Sequence, residues 1–162
     1  MPGQTPTAPY AARTIANWFL ALAEGFDEAP VSNLKLQKLL YYAQGVYLAR
    51  YHAPLIREPI EAWSHGPVVS SVYHHFKSAG AGALEADDEF KWSEVDDKTS
   101  ELLASVWNTF GGYSAWKLRE MTHRESPWVE AFDADLRSNV IPNPNIERFF
   151  EVRYARIASS PR

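Results

Sequence analysis

The side chains of this chain that could do chemistry begin with its histidines. There are five, at positions 52, 65, 74, 75 and 123, and there is no cysteine. No two histidines are four residues apart, the spacing at which one helix face presents two zinc ligands. His74 and His75 are adjacent, so on a helix their side chains diverge by about 100° and do not easily bind one ion. The histidines therefore predict no metal site, and the lack of cysteine excludes a thiolate nucleophile.

Signatures of phosphate binding and of covalent catalysis are also missing. The sequence contains no glycine-rich nucleotide loop and no Gly-x-Ser-x-Gly turn, and the run Gly80-Ala81-Gly82 is typical of a helix end. Glu58 and Glu61 are close in sequence, but opposite parity on a strand would point them apart. The sequence therefore predicts no cofactor and no enzyme.

Lys38, Tyr41 and Tyr42 form the first of three groups whose residue types suggest a site. They lie in a segment with helical apolar spacing, and Lys35, Lys38 and Gln44 lie away from the centre of its apolar face. One interpretation is a core helix with an extended lysine and partly buried tyrosines. The other is a protein-binding surface, because aromatic and cationic side chains are enriched at binding hot spots.

The second group is the run Trp63-Ser64-His65-Gly66-Pro67, in which Gly66-Pro67 is predicted to turn the chain. A rigid turn would aim Trp63 into the core and leave His65 hydrogen-bonded to the backbone. The alternative interpretation is a ligand site.

The third group is His123 with the later pair Pro127-Trp128. His123 suits the C-terminus of a helix, where a cationic imidazole is favoured, and Trp128 would then pack over it. An alternative function uses this region: a small hydrolase or nucleotide-processing enzyme with a His65/His123 pocket. That hypothesis requires both imidazoles in one pocket and a shifted pKa for one of them.

These groups lie in a chain whose periodicity is mainly helical. Helices are predicted at residues 10–24, 32–50 and 68–78, after Asp96, at 114–121, in a short turn at Pro127, and after Asn143 as a cap. Alternating side-chain character over residues 55–63 predicts a short edge strand. Phe90 and Trp92 predict a second short strand. The expected fold is mainly α: a single compact multi-helix domain with a small two- or three-stranded β element.

Size and charge bound the function further. The 162 residues, 46% of them hydrophobic, suffice for one core. We expect it at residues 10–158, after a disordered tail at 1–9 that does not resemble a signal peptide. The net charge of -4 gives no electrostatic footprint for nucleic acid. No apolar run reaches the roughly 18 residues of a membrane span, so a soluble cytoplasmic protein is expected.

Four motifs follow one another along the chain. They are Leu36-Gln-Lys-Leu-Leu-Tyr-Tyr-Ala43, Pro59-Ile-Glu-Ala-Trp63, His65-Gly-Pro-Val68, and Thr122-His123 with Pro127-Trp128. In this order they resemble the Panacea-domain family, which includes SocA-like and GepA-like phage-associated proteins. The resemblance extends over residues 12–155.

The resemblance implies an antitoxin that neutralises a cognate protein toxin by direct binding. In a SocA-like branch of the family, the antitoxin is an adaptor that presents its toxin to the ClpXP protease. The candidate motif or partner-binding residues are Lys38, Tyr41, Tyr42, Trp63, His65, Gly66, Pro67, His123 and Trp128. Autoregulation by DNA binding is a weaker alternative. It would use a last helix with Arg148, Arg153 and Arg156, which acidic residues interrupt.

Overall fold

The computed structural model describes residues 7–26, 30–136 and 138–159. Residues 1–6 of the expected tail lie outside these ranges, so that tail stays a prediction. The helices are α1 (Ala12–Ala23), α2 (Asn33–Tyr51), α3 (Ser70–His75), α4 (Asp97–Phe110), α5 (Ala115–Thr122), α6 (Ser126–Ala131), α7 (Asn143–Arg153) and α8 (Ala155–Ser159). The strands are β1 (Glu61–Trp63), β2 (Gly66–Val68) and β3 (Asn139–Val140). The mainly helical fold with a small sheet is confirmed.

Helix α2 lies at the centre of the fold. It begins after Ser32, whose hydroxyl accepts a hydrogen bond from the backbone N–H of Lys35 at 3.2 Å. It ends at His52, which adopts the left-handed conformation with φ 57°. Helices α1, α4, α5, α7 and α8 and strand β2 all contact α2. Neighbours on several sides therefore bury both its apolar stripe and the rest of its surface.

The burial of α2 corrects one prediction. Lys35, Lys38 and Gln44 lie off the centre of the apolar stripe in sequence, yet all three are buried. The stripe identifies the most apolar face of a helix, and it gives no sign that other elements cover the remaining faces. No helix in the described part of the chain is both long enough and apolar enough to span a membrane.

Buried polar side chains of α2 hydrogen-bond to the loops around it, as buried polar groups must. Gln44 Oε1 accepts from the backbone N–H groups of Leu55 and Ile56 at 2.9 and 3.1 Å. Gln37 Oε1 accepts from the backbone N–H of Val69 at 2.9 Å. These contacts fix the path of the chain on both sides of the β1–β2 hairpin.

The small sheet has the order β2-β1-β3, with both pairs antiparallel. Ser64-His65 forms the turn, and Trp63 pairs with Gly66 across it. The prediction that Gly66-Pro67 turns the chain is therefore wrong, because both residues belong to β2. The predicted strand at 55–63 shortens to β1, since Pro59 has no N–H to donate to a ladder.

Two element boundaries also differ from the predictions. Phe90 and Trp92 form no strand; Trp92 instead begins a short 3-10 helix, Trp92–Glu94. The cap of α7 is Pro142, and Asn143 is the first helical residue. The amide oxygen of Asn143 accepts from Gln44 Nε2 at 3.2 Å, so this side chain bonds to α2 instead of capping its own helix.

Replacing Gln44 should test the role of these contacts. Gln44→Met keeps the length of the side chain but leaves the N–H groups of Leu55 and Ile56 without an acceptor. Each unpaired buried donor costs about 1–3 kcal/mol, so we expect the free energy of unfolding in urea to fall by at least about 2 kcal/mol. The matched control is Glu101→Met at an exposed position of α4. This substitution should change the free energy of unfolding by less than about 0.5 kcal/mol. Equal stability of the two variants would contradict this role.

Candidate functional site

The sequence motifs meet where the β1–β2 hairpin packs on the middle of α2 and on the end of α5. The hairpin contributes Trp63, His65, Gly66 and Pro67, α2 contributes Lys38, and the segment from α5 to α6 contributes His123 and Trp128. Tyr41 and Tyr42 belong to a second cluster farther along α2. Residues far apart in sequence are therefore brought into two adjoining groups.

Lys38 is the buried centre of the first group. Its side chain is 0% exposed, and Nζ donates to the carbonyl oxygen of Pro67 at 3.0 Å. Burial and, to a smaller extent, the nearby charge of Arg119 together lower the pKa of Lys38 to about 7. Gly66 leaves room for the lysine: a Cβ there would lie 2.6 Å from Lys38 Cε. Gly66 also has φ 113°, which other residues rarely adopt.

His123 joins the end of α5 to the hairpin. Its Nδ1 lies 2.7 Å from the carbonyl oxygen of Arg119, and its Nε2 lies 2.9 Å from that of Ser64. The Trp128 ring packs against the imidazole with a centroid distance of 4.0 Å. Trp128 Nε1 in turn donates to the carbonyl oxygen of Trp63 at 2.8 Å. This geometry agrees with the interpretation of His123 as a helix-end residue covered by Trp128.

His65 lies at the exposed tip of the hairpin and contacts Arg119. Arg119 Nε donates to His65 Nδ1 at 3.0 Å, so that nitrogen carries no proton. Partial burial and the positive charges of Arg119 and Lys38 lower the pKa of His65, which favours this neutral form. The expected hydrogen bond from His65 to the backbone is therefore wrong. Trp63 is only half-buried, and its indole N–H donates to Glu61 Oε1 at 2.8 Å.

The second group is a buried carboxylate with three tyrosines. Glu125 accepts from the hydroxyls of Tyr41 and Tyr42 at 2.9 Å each and from that of Tyr154 at 2.6 Å. Burial raises the pKa of Glu125, although the three hydroxyl donors oppose the shift. Tyr41 and Tyr42 are fully buried. A binding surface built from Lys38, Tyr41 and Tyr42 is therefore not what the structure contains. The core-helix interpretation agrees with the structure except in the degree of burial, because Lys38 does not extend to the solvent and the tyrosines are fully buried.

Sequence reasoning missed Glu125 and Arg119. Each contacts motif residues that are more than fifty positions away, and neither belongs to a recognised motif. One signal did exist: two adjacent tyrosines on a central helix need an acceptor when they are buried. The helical periodicity of residues 10–24 and 32–50 gave no sign that the two tyrosines are buried.

The histidine-enzyme hypothesis is met only in part. His65 and His123 do lie together, with Arg119 between them, and the pKa of His65 is lowered. However, both ring nitrogens of His123 face main-chain carbonyl oxygens. The adjoining cavity of about 610 Å³ is lined by Trp63, Ser64, Phe132, Ala134 and Ser138 among the described residues, and none of these is titratable. Among the described residues, this cavity therefore presents no acid–base pair.

Two other surface features, a cluster of possible metal ligands and the C-terminal arginines, lie apart from the motifs. In the described ranges, one set of ligand atoms lies within reach of a single ion: His52, Glu147 and Glu151, with His52 Nδ1 2.7 Å from Glu147 Oε2. It includes none of the motif residues, and the ion pair explains the raised pKa of His52. The single basic helix proposed for DNA is not formed, because α7 ends at Arg153 and Arg156 lies in α8.

Comparison with known proteins identifies the family. The family described as "Antitoxin SocA-like, Panacea domain" matches residues 36–129, which contain all nine motif residues. A curated relative, "Antitoxin SocA" of Caulobacter vibrioides (strain NA1000 / CB15N), is 46% identical over 128 residues, which cover 72% of this chain and 68% of the relative. The chain belongs to the SocA-like Panacea-domain family. No solved structure shows significant similarity to it.

In this Panacea domain, Lys38 should make stability depend on pH. Lysine in the unfolded chain keeps its proton up to about pH 10.4, whereas folded Lys38 loses it at about 7. Between these values the unfolded state binds more protons, so the free energy of unfolding rises with pH by about 1.4 kcal/mol per unit.

The measurement is urea denaturation of the wild type and of Lys38→Met from pH 7 to 9.5. As pH rises, the free energy of unfolding of the wild type should increase relative to that of Lys38→Met, because methionine has no proton to lose. The window stops below the ordinary tyrosine pKa of about 10. Parallel stability curves for the two proteins would show that Lys38 is not a buried base.

Glu125 should be the residue that holds the tyrosine cluster of the Panacea domain together. Glu125→Ala leaves three hydroxyls without their acceptor, and we expect a loss of at least about 3 kcal/mol in unfolding free energy. Glu125→Gln keeps one acceptor oxygen and should lose less. The matched control is Glu130→Ala on the exposed side of α6, with a change below about 0.5 kcal/mol. A loss under 1 kcal/mol for Glu125→Ala, taken as about one ordinary hydrogen bond, would refute this role.

Proposed function

We propose that this chain is an antitoxin that neutralises a cognate protein toxin in the cytoplasm by direct binding and without catalysis. Membership of the SocA-like family supports the antitoxin role. One observation carries the direct-binding form: the reactive side chains of the motifs bond to the chain itself. Lys38 bonds to Pro67, and Tyr41 and Tyr42 bond to Glu125. Side chains that bond to the chain itself favour a structural role for the motifs over a catalytic one.

Neutralisation by binding requires a surface that the toxin can cover. A stable complex buries about 800 Å² on each partner, with aromatic and arginine side chains over-represented at its centre. Exposed aromatic side chains of this kind include Tyr113, just before α5, and Trp116, within α5. Covering the active site of the toxin, or changing its shape, would be enough to block it.

A finer form of the proposal is a proteolytic adaptor that presents the toxin to ClpXP. The resemblance to the SocA-like branch supports it, as does the 46% identity to "Antitoxin SocA". An adaptor needs one surface for the toxin and another for the protease. This form therefore predicts two sets of substitutions that separate toxin binding from toxin degradation.

The test is co-expression of this chain with the product of the adjacent gene. We expect the neighbour alone to stop growth, and the pair to grow and to co-purify in a fixed ratio, measured by native mass spectrometry. A fall in neighbour protein that is lost in a host without ClpXP would assign the adaptor form. If this chain rescues growth at a small fraction of the neighbour's amount and forms no complex with it, the result would favour the histidine-enzyme hypothesis. No rescue and no complex would overturn the antitoxin proposal.

A further inference from the structure

Two side-chain contacts hold Arg119 in place near the hairpin. Its Nε donates to His65 Nδ1 at 3.0 Å, and its guanidinium carbon lies 4.4 Å from the centroid of the Trp116 ring. These two contacts orient the planar group from its edge and from its face. An arginine held in this way loses little conformational entropy when it binds a partner.

The outer nitrogens of Arg119, Nη1 and Nη2, donate to no residue in the described part of the chain. The ion pairs found there involve Arg13, His52 and His75, and none involves Arg119. Nη1 and Nη2 form the end of the guanidinium fork, which can bind both oxygens of one carboxylate. The structure thus presents an oriented donor pair without an acceptor.

Arg119 lies near two other basic groups, Lys38 and His65. Lys38 lies beneath Gly66, and burial is the larger cause of the lowered pKa of both Lys38 and His65. Repulsion by the positive charge of Arg119 lowers both pKa values further. An anion that arrives at Arg119 would relieve this repulsion, which is a form of electrostatic complementarity that favours binding.

One exposed aromatic side chain, Trp116, lies against this cation, and a second, Tyr113, comes just before α5 in the sequence. Trp116 is 57% exposed and Tyr113 is 41% exposed. Tryptophan, tyrosine and arginine are the residues that most often dominate the energy of protein–protein interfaces. We call Arg119, Trp116, Tyr113 and His65 the Arg119 surface.

We propose that the Arg119 surface is where an acidic segment of the toxin docks. One carboxylate pairs with Nη1 and Nη2 of Arg119, and an apolar side chain next to it packs on Trp116. The inference rests on the proposed function and adds to it the chemistry of the contact. It also assigns to the partner a negative group, although this chain itself has a net charge of -4.

A protein segment fits this surface better than a nucleic acid. A nucleic-acid backbone carries closely spaced phosphates and is bound by several cations along its length. On α5, Lys117 and Arg119 are two residues apart, so their side chains point about 160° away from each other around the helix. One oriented fork beside aromatic side chains suits a single carboxylate in an apolar setting.

The first test measures affinity by calorimetry between the purified product of the adjacent gene and four variants of this chain. Arg119→Gln and Trp116→Ala should each weaken binding about tenfold or more. Arg156→Gln, exposed on α8, and Trp92→Ala, also exposed, are the matched controls. Both controls should stay within about twofold of the wild type. Thermal unfolding of each variant alone confirms that it is folded.

The second test identifies the chemistry of the partner group. Arg119→Lys places an amine at this position, and a carbodiimide joins an amine only to a carboxylate at contact distance. Mass spectrometry should then find a cross-link from the introduced lysine to an Asp or Glu of the partner. Arg156→Lys should give none. Arg119→Lys should also bind more weakly than the wild type, because an ammonium group lacks the planar fork that donates to both oxygens of a carboxylate.

The outcomes separate this inference from the proposed function. A complex that all variants form equally well, without the cross-link, would overturn the Arg119 surface and leave the antitoxin proposal in place. A complex that nuclease treatment destroys would overturn the acidic segment in favour of nucleic acid. The absence of any complex with the wild type would overturn both.

Discussion

A helix that is covered on several sides must satisfy its polar side chains inside the protein, and α2 is such a helix. Its buried residues include Asn33, Lys35, Gln37, Lys38, Tyr41, Tyr42 and Gln44. None of the buried side-chain nitrogen or oxygen atoms in the described residues lacks a hydrogen-bond partner. An unpaired buried polar group costs free energy of folding. Each neighbouring loop or helix must therefore lie where it can make its hydrogen bond to α2. The polar contacts of α2 therefore specify the fold more narrowly than its apolar stripe could.

This constraint explains what the family motifs do. Lys38 fits under Gly66 because Gly66 has no side chain, and Lys38 Nζ donates to the carbonyl oxygen of Pro67 in the same strand. Tyr41 and Tyr42 reach the start of α6 through Glu125. The motifs thus hold the hairpin and the α5–α6 segment against one helix. The exposed residues around this interior can vary without disturbing these contacts.

The sequence predicts the local features of the fold well. Ser32 and Ser114 cap α2 and α5 as their side chains suggest, and the apolar spacing locates the long helices. It predicts long-range contacts poorly, because periodicity describes only one helix at a time. Nothing local shows that Lys38 is buried or that Glu125 meets tyrosines more than eighty residues away. The sequence motif singled out His65. It did not include Arg119, whose Nε donates to His65.

If the motifs build a fixed interior, the proposed partner should bind on the surface around α5 without disturbing α2. Amide hydrogen exchange of the chain, alone and bound to the product of the adjacent gene, measures both effects. We expect equal protection of residues 36–46 of α2 in both states, with slower exchange at 64–66 and 113–119 in the complex. Lower protection of α2 on binding, or new protection that avoids 113–119, would contradict this expectation.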